Sequence, residues 1–138
     1  GLASAEQARR CCEHLPSFER EGGLANTQAQ ALSEEYKQWD YPNGWPNQHY
    51  IVIKGLSLYG FDDDARRIAR KWLDLNAAVF RNTGSFWEKY DVVACTVGKD
   101  GRYPTQKGFG WTNGVFIRLL KELFEEQLVA LTTLQSSK

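Results

Sequence analysis

The strongest constraint on this fold is one run of apolar residues. Ala65, Ile68, Ala69, Trp72, Leu75, Ala78 and Val79 recur in an i, i+3, i+4, i+7 pattern, which on a 3.6-residue period forms a single stripe. The spacing predicts an amphipathic helix to about Arg81, with Gly84 closing the region. Asp62-Asp63-Asp64 is expected to supply its N-cap and to set negative charge at the positive end of the helix dipole. A second stripe, Ile51, Val52, Leu56 and Tyr59, lies in Gln48–Tyr59 and stops at Gly60, suited to the position after a helix C-cap. Two helices so close in sequence must turn back on each other as an antiparallel αα-hairpin. Gly55, inside the first of them, reads as a point of close approach by another helix.

The rest of the chain repeats the theme. Ser4-Ala5-Glu6-Gln7 has the form of a capping box, so a helix is expected from there to about His14, stopped by Pro16. Asn113 to Leu131 carries Val115, Phe116, Leu119, Leu120, Leu123 and Leu128 and predicts a final helix, with a tail from Thr132 that frays. Glu21 to Thr27 reads as a loop, and residues 28–37 have helical composition with weak apolar spacing. Strand signals are scarce, Val92-Val93-Ala94-Cys95 being the best. The class is all-α, built from hairpins with long loops.

Totals remove several functions. At 138 residues there is one domain's worth of chain. Its 17 basic and 17 acidic residues cancel, which gives no electrostatic case for nucleic acid or an anionic membrane. No apolar run approaches the ~20 residues a membrane span requires. The absence of Met implies that translation did not begin at Gly1, which leaves the compartment open, and oligomeric state has no sequence signature. Cys11, Cys12 and Cys95 are too few for a disulfide framework and read as buried thiols; His14 and His49 read as surface imidazoles. No metal-ligand spacing is present and no cofactor is expected.

Three loops hold what the helices leave out. Gln38-Trp39-Asp40-Tyr41-Pro42-Asn43-Gly44-Trp45 packs indoles, a carboxylate, Pro and Gly into a stretch that neither helix nor strand tolerates well. A rigid loop of that kind suits a sugar ring, whose C–H faces stack on indole while its hydroxyls need acceptors. Trp87-Glu88-Lys89-Tyr90-Asp91 follows the long helix. Gly98 to Thr112, with Phe109 and Trp111, opens the last one. Long loops in compact domains are commonly functional.

In order, Gln38–Trp45, Glu88-Lys89-Tyr90-Asp91 and Gly108-Phe109-Gly110-Trp111-Thr112-Asn113-Gly114 resemble three signatures of the trehalase family of glycoside hydrolases. Gly22-Gly23-Leu24-Ala25 is similar to the family's approach to the first of them, so the likeness spans nearly the whole chain. The resemblance implies hydrolysis of α,α-trehalose to two glucose molecules with inversion, on an (α/α)₆ toroid. Residues 1–138 would then be the C-terminal portion of a single catalytic domain. A slice of such a toroid exposes apolar faces that its other hairpins cover.

Inverting glycosidases need one protonated carboxyl for the leaving oxygen and one carboxylate to activate water, about 6.5–9.5 Å apart. The resemblance makes Glu88 the general base and places the general acid, an Asp, in an upstream segment outside this chain. Burial between Trp87 and Tyr90 and the charge of Lys89 act on Glu88 in opposite senses. Trp39, Asp40, Trp45, Phe109 and Trp111 are the expected substrate contacts, Asp40 holding the loop or a sugar hydroxyl. Two departures stand out: Trp45 is followed directly by Pro46, and Arg102 occupies a position where the family often has a substrate-binding Glu. Arg102 replaces an acceptor with a fork of donors, or Asp100 takes over that role. The alternatives are another inverting α-glycosidase on the same toroid and a non-catalytic sugar-binding helical module.

Overall fold

In the computed structural model the described residues are 2–29 and 37–136, with side chains given through Leu123 and at Glu125. The ambiguous stretch 28–37 falls largely outside them. The capping box forms as read: Gln7 N–H donates to Ser4 Oγ at 3.2 Å and Ser4 N–H to Gln7 Oε1 at 2.8 Å. It opens α1, Ala5–Glu13, and Pro16 lies in the 3₁₀ turn Leu15–Ser17 that follows. The expected loop at 21–27 is in part a hairpin, β1 (Glu19–Arg20) with β2 (Gly23–Leu24). Strands of two residues cannot display a period-two alternation, so the sequence carried no signal for them.

The αα-hairpin consists of α2, Pro46–Leu58, and α3, Asp62–Thr83, joined through Gly60 at φ +81°. Pro46 sits at the first position of α2, where its missing N–H costs nothing. Gly84, left-handed at φ +70°, caps α3 and donates its N–H to Phe80 O at 2.8 Å. The N-cap of α3 is Phe61, not an aspartate; Asp62, Asp63 and Asp64 occupy the first turn, so only their dipole role stands. On α3 the predicted stripe is buried except for half-buried Ala78, and Leu73 and Asn76 join it. Trp72 and Ile68 are fully buried, each contributing about 1.5–3 kcal/mol or more of apolar transfer free energy.

On α2 the buried face is His49, Ile53 and Leu56, and Ile51 faces outward. Gly55 is no close-approach point: a Cβ there would meet nothing within 4 Å. The space beside it is a cavity of about 520 Å³ between α1 and α2, lined by Cys12, Phe18 and Leu56 among others. The last helix, α4, runs Gly110–Ser136, longer at both ends than expected. Ile51, Leu58, Ile117 and Leu120 are exposed apolar residues on α2 and α4.

A second small sheet ties the loops together. Here β3 (Asn43–Gly44) pairs antiparallel with β4 (Tyr90–Asp91), which pairs with β5 (Thr96–Val97). Val92–Cys95, the expected strand, is the turn between β4 and β5. Asp91 Oδ1 accepts the Val93 and Ala94 N–H groups there at 3.0 and 2.8 Å, offering the backbone a turn in place of a ladder. The histidine and cysteine readings also change. His49 is fully buried, Cys11 is exposed, and Cys12 and Cys95 are half-buried.

Candidate active site

The three loops meet at this sheet. Asn43 faces Asp91 and Gly44 faces Tyr90, so the tryptophan loop is zipped to the strand that leaves Glu88-Lys89. From the other side, Glu88 N–H donates to Gln106 O at 2.9 Å and Gly108 N–H to Phe86 O at 2.7 Å. Thr112, fully buried at the head of α4, donates its hydroxyl to Trp87 O at 2.6 Å. Backbone pairing holds segments distant in sequence around one carboxylate.

Glu88 is 1% exposed and both of its oxygens have side-chain donors. Lys89 Nζ lies 2.9 Å from Oε2, and the Tyr103 hydroxyl donates to Oε1 at 2.7 Å. Lys89 is itself fully buried and donates to Thr105 Oγ1 at 2.9 Å; its ammonium stands 5.5 Å from the Trp45 ring centre. A buried ion pair survives only when its remaining donors and acceptors are satisfied, and here hydroxyls complete it. The bond to Glu88, with partial burial second, raises the Tyr103 phenol above its ordinary range, since ionising it would set two anions together.

Aromatic rings form the adjoining wall. Trp39 stacks on Trp45 with ring centres 3.9 Å apart and planes 6° from parallel. Phe109 and Trp111 meet Trp45 edge-on at 6.3 and 6.4 Å. Trp45 is 2% exposed, so it is the pedestal of this cluster, while Trp39 and Trp111, at 36% and 50%, offer surface. Gln38 O accepts both Trp45 Nε1–H and Asn43 Nδ2–H at 3.0 Å, which stiffens the loop. Asp40 Oδ2 accepts Lys37 N–H at 3.2 Å, in keeping with a loop-holding role.

Not every expected residue joins the cluster. Arg102 is exposed and makes no hydrogen bond or ion pair among the described residues. Asp100 is committed to its own loop, its Oδ1 accepting Thr105 N–H at 2.8 Å. Sequence reading passed over Tyr103 and Thr105 and treated Lys89 only as a nearby charge. No spacing rule brings Tyr103 back 15 residues to Glu88; only the shared glycine loop pointed there.

Beneath the sheet lies a second buried ionisable group. Leu24 N–H donates to His49 Nε2 at 2.8 Å, which makes Nε2 the acceptor and leaves Nδ1–H to donate to Trp45 O at 2.8 Å. The ring stacks on Trp72 at 3.8 Å. Burial pushes the imidazole down to about 4, the bond to Trp45 O opposing it only in part. A Cβ at Gly23, φ +125°, would stand 2.4 Å from Nε2, and one at Gly44 2.6 Å from Leu24 O. Both glycines exist so that backbone can close on this ring.

An aromatic wall thus stands beside a buried carboxylate on a scaffold of helical hairpins. The chain is a member of the trehalase family, whose model matches residues 1–124. It is 41% identical over 123 residues to the periplasmic trehalase of Pseudomonas aeruginosa, covering 88% of this chain and 22% of that protein. It is 43% identical over 98 residues to the trehalase of Tenebrio molitor, covering 68% and 18%. Among solved structures it resembles neutral trehalase Nth1 from Saccharomyces cerevisiae, with TM-score 0.74, 36% identity and coverage of 88% of this chain and 21% of that one. The chain thus spans about a fifth of the length of the relatives it matches. The mainly helical fold is that expected of a piece of an α-helical toroid. No helix among the described residues is long and apolar enough to cross a membrane, and relatives carry both periplasmic and cytosolic names.

Proposed function

We propose that residues 1–138 are the C-terminal portion of a single trehalase catalytic domain that hydrolyses α,α-trehalose to two glucose molecules with inversion, and that Glu88 is its general base. The observation that carries this reading is the convergence of the three family segments on Glu88, a buried carboxylate beside exposed indoles. In the reaction, water gives a proton to Glu88 as its oxygen attacks the anomeric carbon. The glycosidic C–O bond breaks, and a protonated carboxyl supplied by a segment outside these residues gives its proton to the leaving oxygen. Glu88 keeps lone pairs for that proton, because a carboxylate has about four acceptor positions and Lys89 and Tyr103 occupy two. Trp39 and Trp111 present stacking faces to the sugar, Trp45 and Phe109 support them, Asp40 holds the loop, and Arg102 offers donors at the rim.

The test uses the protein expressed from its full coding sequence. Glucose release from trehalose is expected, and Glu88→Gln is expected to lower kcat by about 10²–10⁴-fold with the fold retained. Unchanged turnover in that variant removes the role given to Glu88. Preference for maltose over trehalose in a substrate panel would redirect the assignment to another inverting α-glycosidase.

A further inference from the structure

We propose that Tyr103 is a positioning residue for Glu88, its hydroxyl fixing the carboxylate in the orientation from which it takes a proton from water. The inference rests on Glu88 being the base, and it extends to the loop that carries Tyr103.

The geometry is asymmetric. Lys89 reaches Oε2 from the adjacent residue through a flexible four-carbon stem, so its bond restrains the carboxyl's last torsion less tightly than a donor on a separate, braced loop does. Tyr103 reaches Oε1 at 2.7 Å from a different loop, and two donors on two oxygens define a plane. That loop is built to hold Tyr103 still. Thr105 is buried and its hydroxyl lies 3.1 Å from Gly98 O and 3.2 Å from Lys99 O while accepting from Lys89 Nζ. Asp100 Oδ1 takes Thr105 N–H, and Gly101 N–H donates to Tyr103 O at 3.2 Å. One short loop therefore presents a donor to Glu88 at Tyr103 and secures, at Thr105, the ammonium that presents the other. Gly98 permits this closeness: a Cβ there would stand 2.8 Å from Lys89 Cγ and 3.0 Å from Asn43 Oδ1.

The ring of Tyr103 is 40% exposed and stands 5.8 Å from the Lys89 ammonium, so its hydroxyl is the one part of the side chain that reaches the buried carboxylate. A base misplaced by about 1 Å loses on the order of a hundredfold in rate, because the near-attack geometry is lost while binding is not. Tyr103→Phe removes only the hydroxyl. In the enzyme expressed from its full coding sequence, kcat should fall about ten- to a hundredfold, with KM within about threefold. The unfolding transition should stay cooperative with its midpoint somewhat lowered, since one oxygen of a buried carboxylate loses its donor. Thr105→Val should lower kcat likewise, and Thr105→Ser, which keeps the hydroxyl, should restore it.

The contact has a signature independent of turnover. The difference in near-ultraviolet tyrosinate titration between the parent protein and Tyr103→Phe isolates this one phenol. It should ionise above the ordinary range in the parent and return to that range in Glu88→Gln. Wild-type kcat in Tyr103→Phe while Glu88→Gln is inactive overturns the positioning role and leaves the base assignment standing. A rise in KM with kcat unchanged overturns it too, by making Tyr103 a binding residue. An ordinary phenol titration in the parent shows that the contact does not exist in solution. Full activity in Glu88→Gln instead removes the base, and with it anything to position.

Discussion

Trp45 stands between two buried ionisable groups that differ in every respect except burial. On one side His49, fully buried, is satisfied by the backbone: Leu24 N–H on Nε2 and Trp45 O on Nδ1–H. On the other side Glu88 and Lys89, equally buried, are satisfied by side chains, and one of these, Tyr103, is on a partly exposed loop. Backbone partners come with the fold and cannot be exchanged, so His49 is neutral and structural, a staple joining the β1–β2 hairpin, the tryptophan loop and α3. Side-chain partners can reorganise when substrate and water arrive. A group that must accept a proton during a reaction needs the second kind of setting. Burial by itself therefore does not distinguish a staple from a site; the chemical identity of the partners does.

The sharpest way to break this comparison is to remove the charge that Glu88 leans on. Lys89→Met keeps the length and apolar stem of the side chain but leaves the carboxylate without its cation and Thr105 Oγ1 without its donor. Breaking a buried pair in this way costs about 3–5 kcal/mol. A denaturant midpoint should fall accordingly, together with activity. If Lys89→Met were as stable as the parent protein, the pair would be solvated in solution and the contrast with His49 would collapse.

Acid probes the other side. His49 has a folded value of about 4 against an ordinary 6.5, so between those pH values the unfolded chain binds the proton that the folded chain refuses. Its contribution is complete above pH 6.5 and is lost as pH falls through 4. Two to three pH units of difference correspond to about 3 kcal/mol. Unfolding free energies measured between pH 7 and 4 should decline by that order, and His49→Leu should flatten the slope while lowering stability overall. A parent protein whose stability is level across this window would mean that water reaches the ring.

How much of this was legible beforehand follows from the kind of interaction. The α2–α3 hairpin was readable because its stripe on α3 repeats every turn and its stops are glycines with positive φ. Strands of two residues have no period, so β1 to β5 were invisible, and Val92–Cys95 misled because apolar β-branched residues also fill a turn that Asp91 organises. Glu88 and the aromatic wall were legible through the three family segments, which place residue types in order. The partners Tyr103 and Thr105 were not, since a contact across 15 residues of glycine loop leaves no trace in spacing. His49 was misjudged as a surface residue for a related reason. The glycines that make room for its ring, Gly23 and Gly44, signal close approach without saying what approaches.

The smallest effect comes from a third ionisable cluster, which tests whether partner type or mere burial governs. Glu19, at the start of β1, takes Arg67 Nε and Nη2 at 3.0 and 2.9 Å and Lys71 Nζ at 2.8 Å from α3. The Arg67 fork, helped by Lys71 and opposed by burial, holds its carboxyl at about 2 against an ordinary 4.5. The sign is that of a depressed acid: its stabilisation is complete above pH 4.5 and is lost as pH falls through 2. Arg67 is 44% exposed, so solvent screens the pair and the contribution is about 1 kcal/mol rather than the full value of the shift. Glu19→Gln should therefore lower stability at pH 7 by about that amount and remove a shallow acid limb below pH 4.5, which meets the His49 window only at its lower end, near pH 4. Salt should shrink the Glu19 effect and leave that of His49 untouched, because only a partly solvated pair is open to screening. Equal salt sensitivity in both would show that solvent reaches the His49 ring as it reaches the Glu19 pair, and the backbone-held staple would not be sealed.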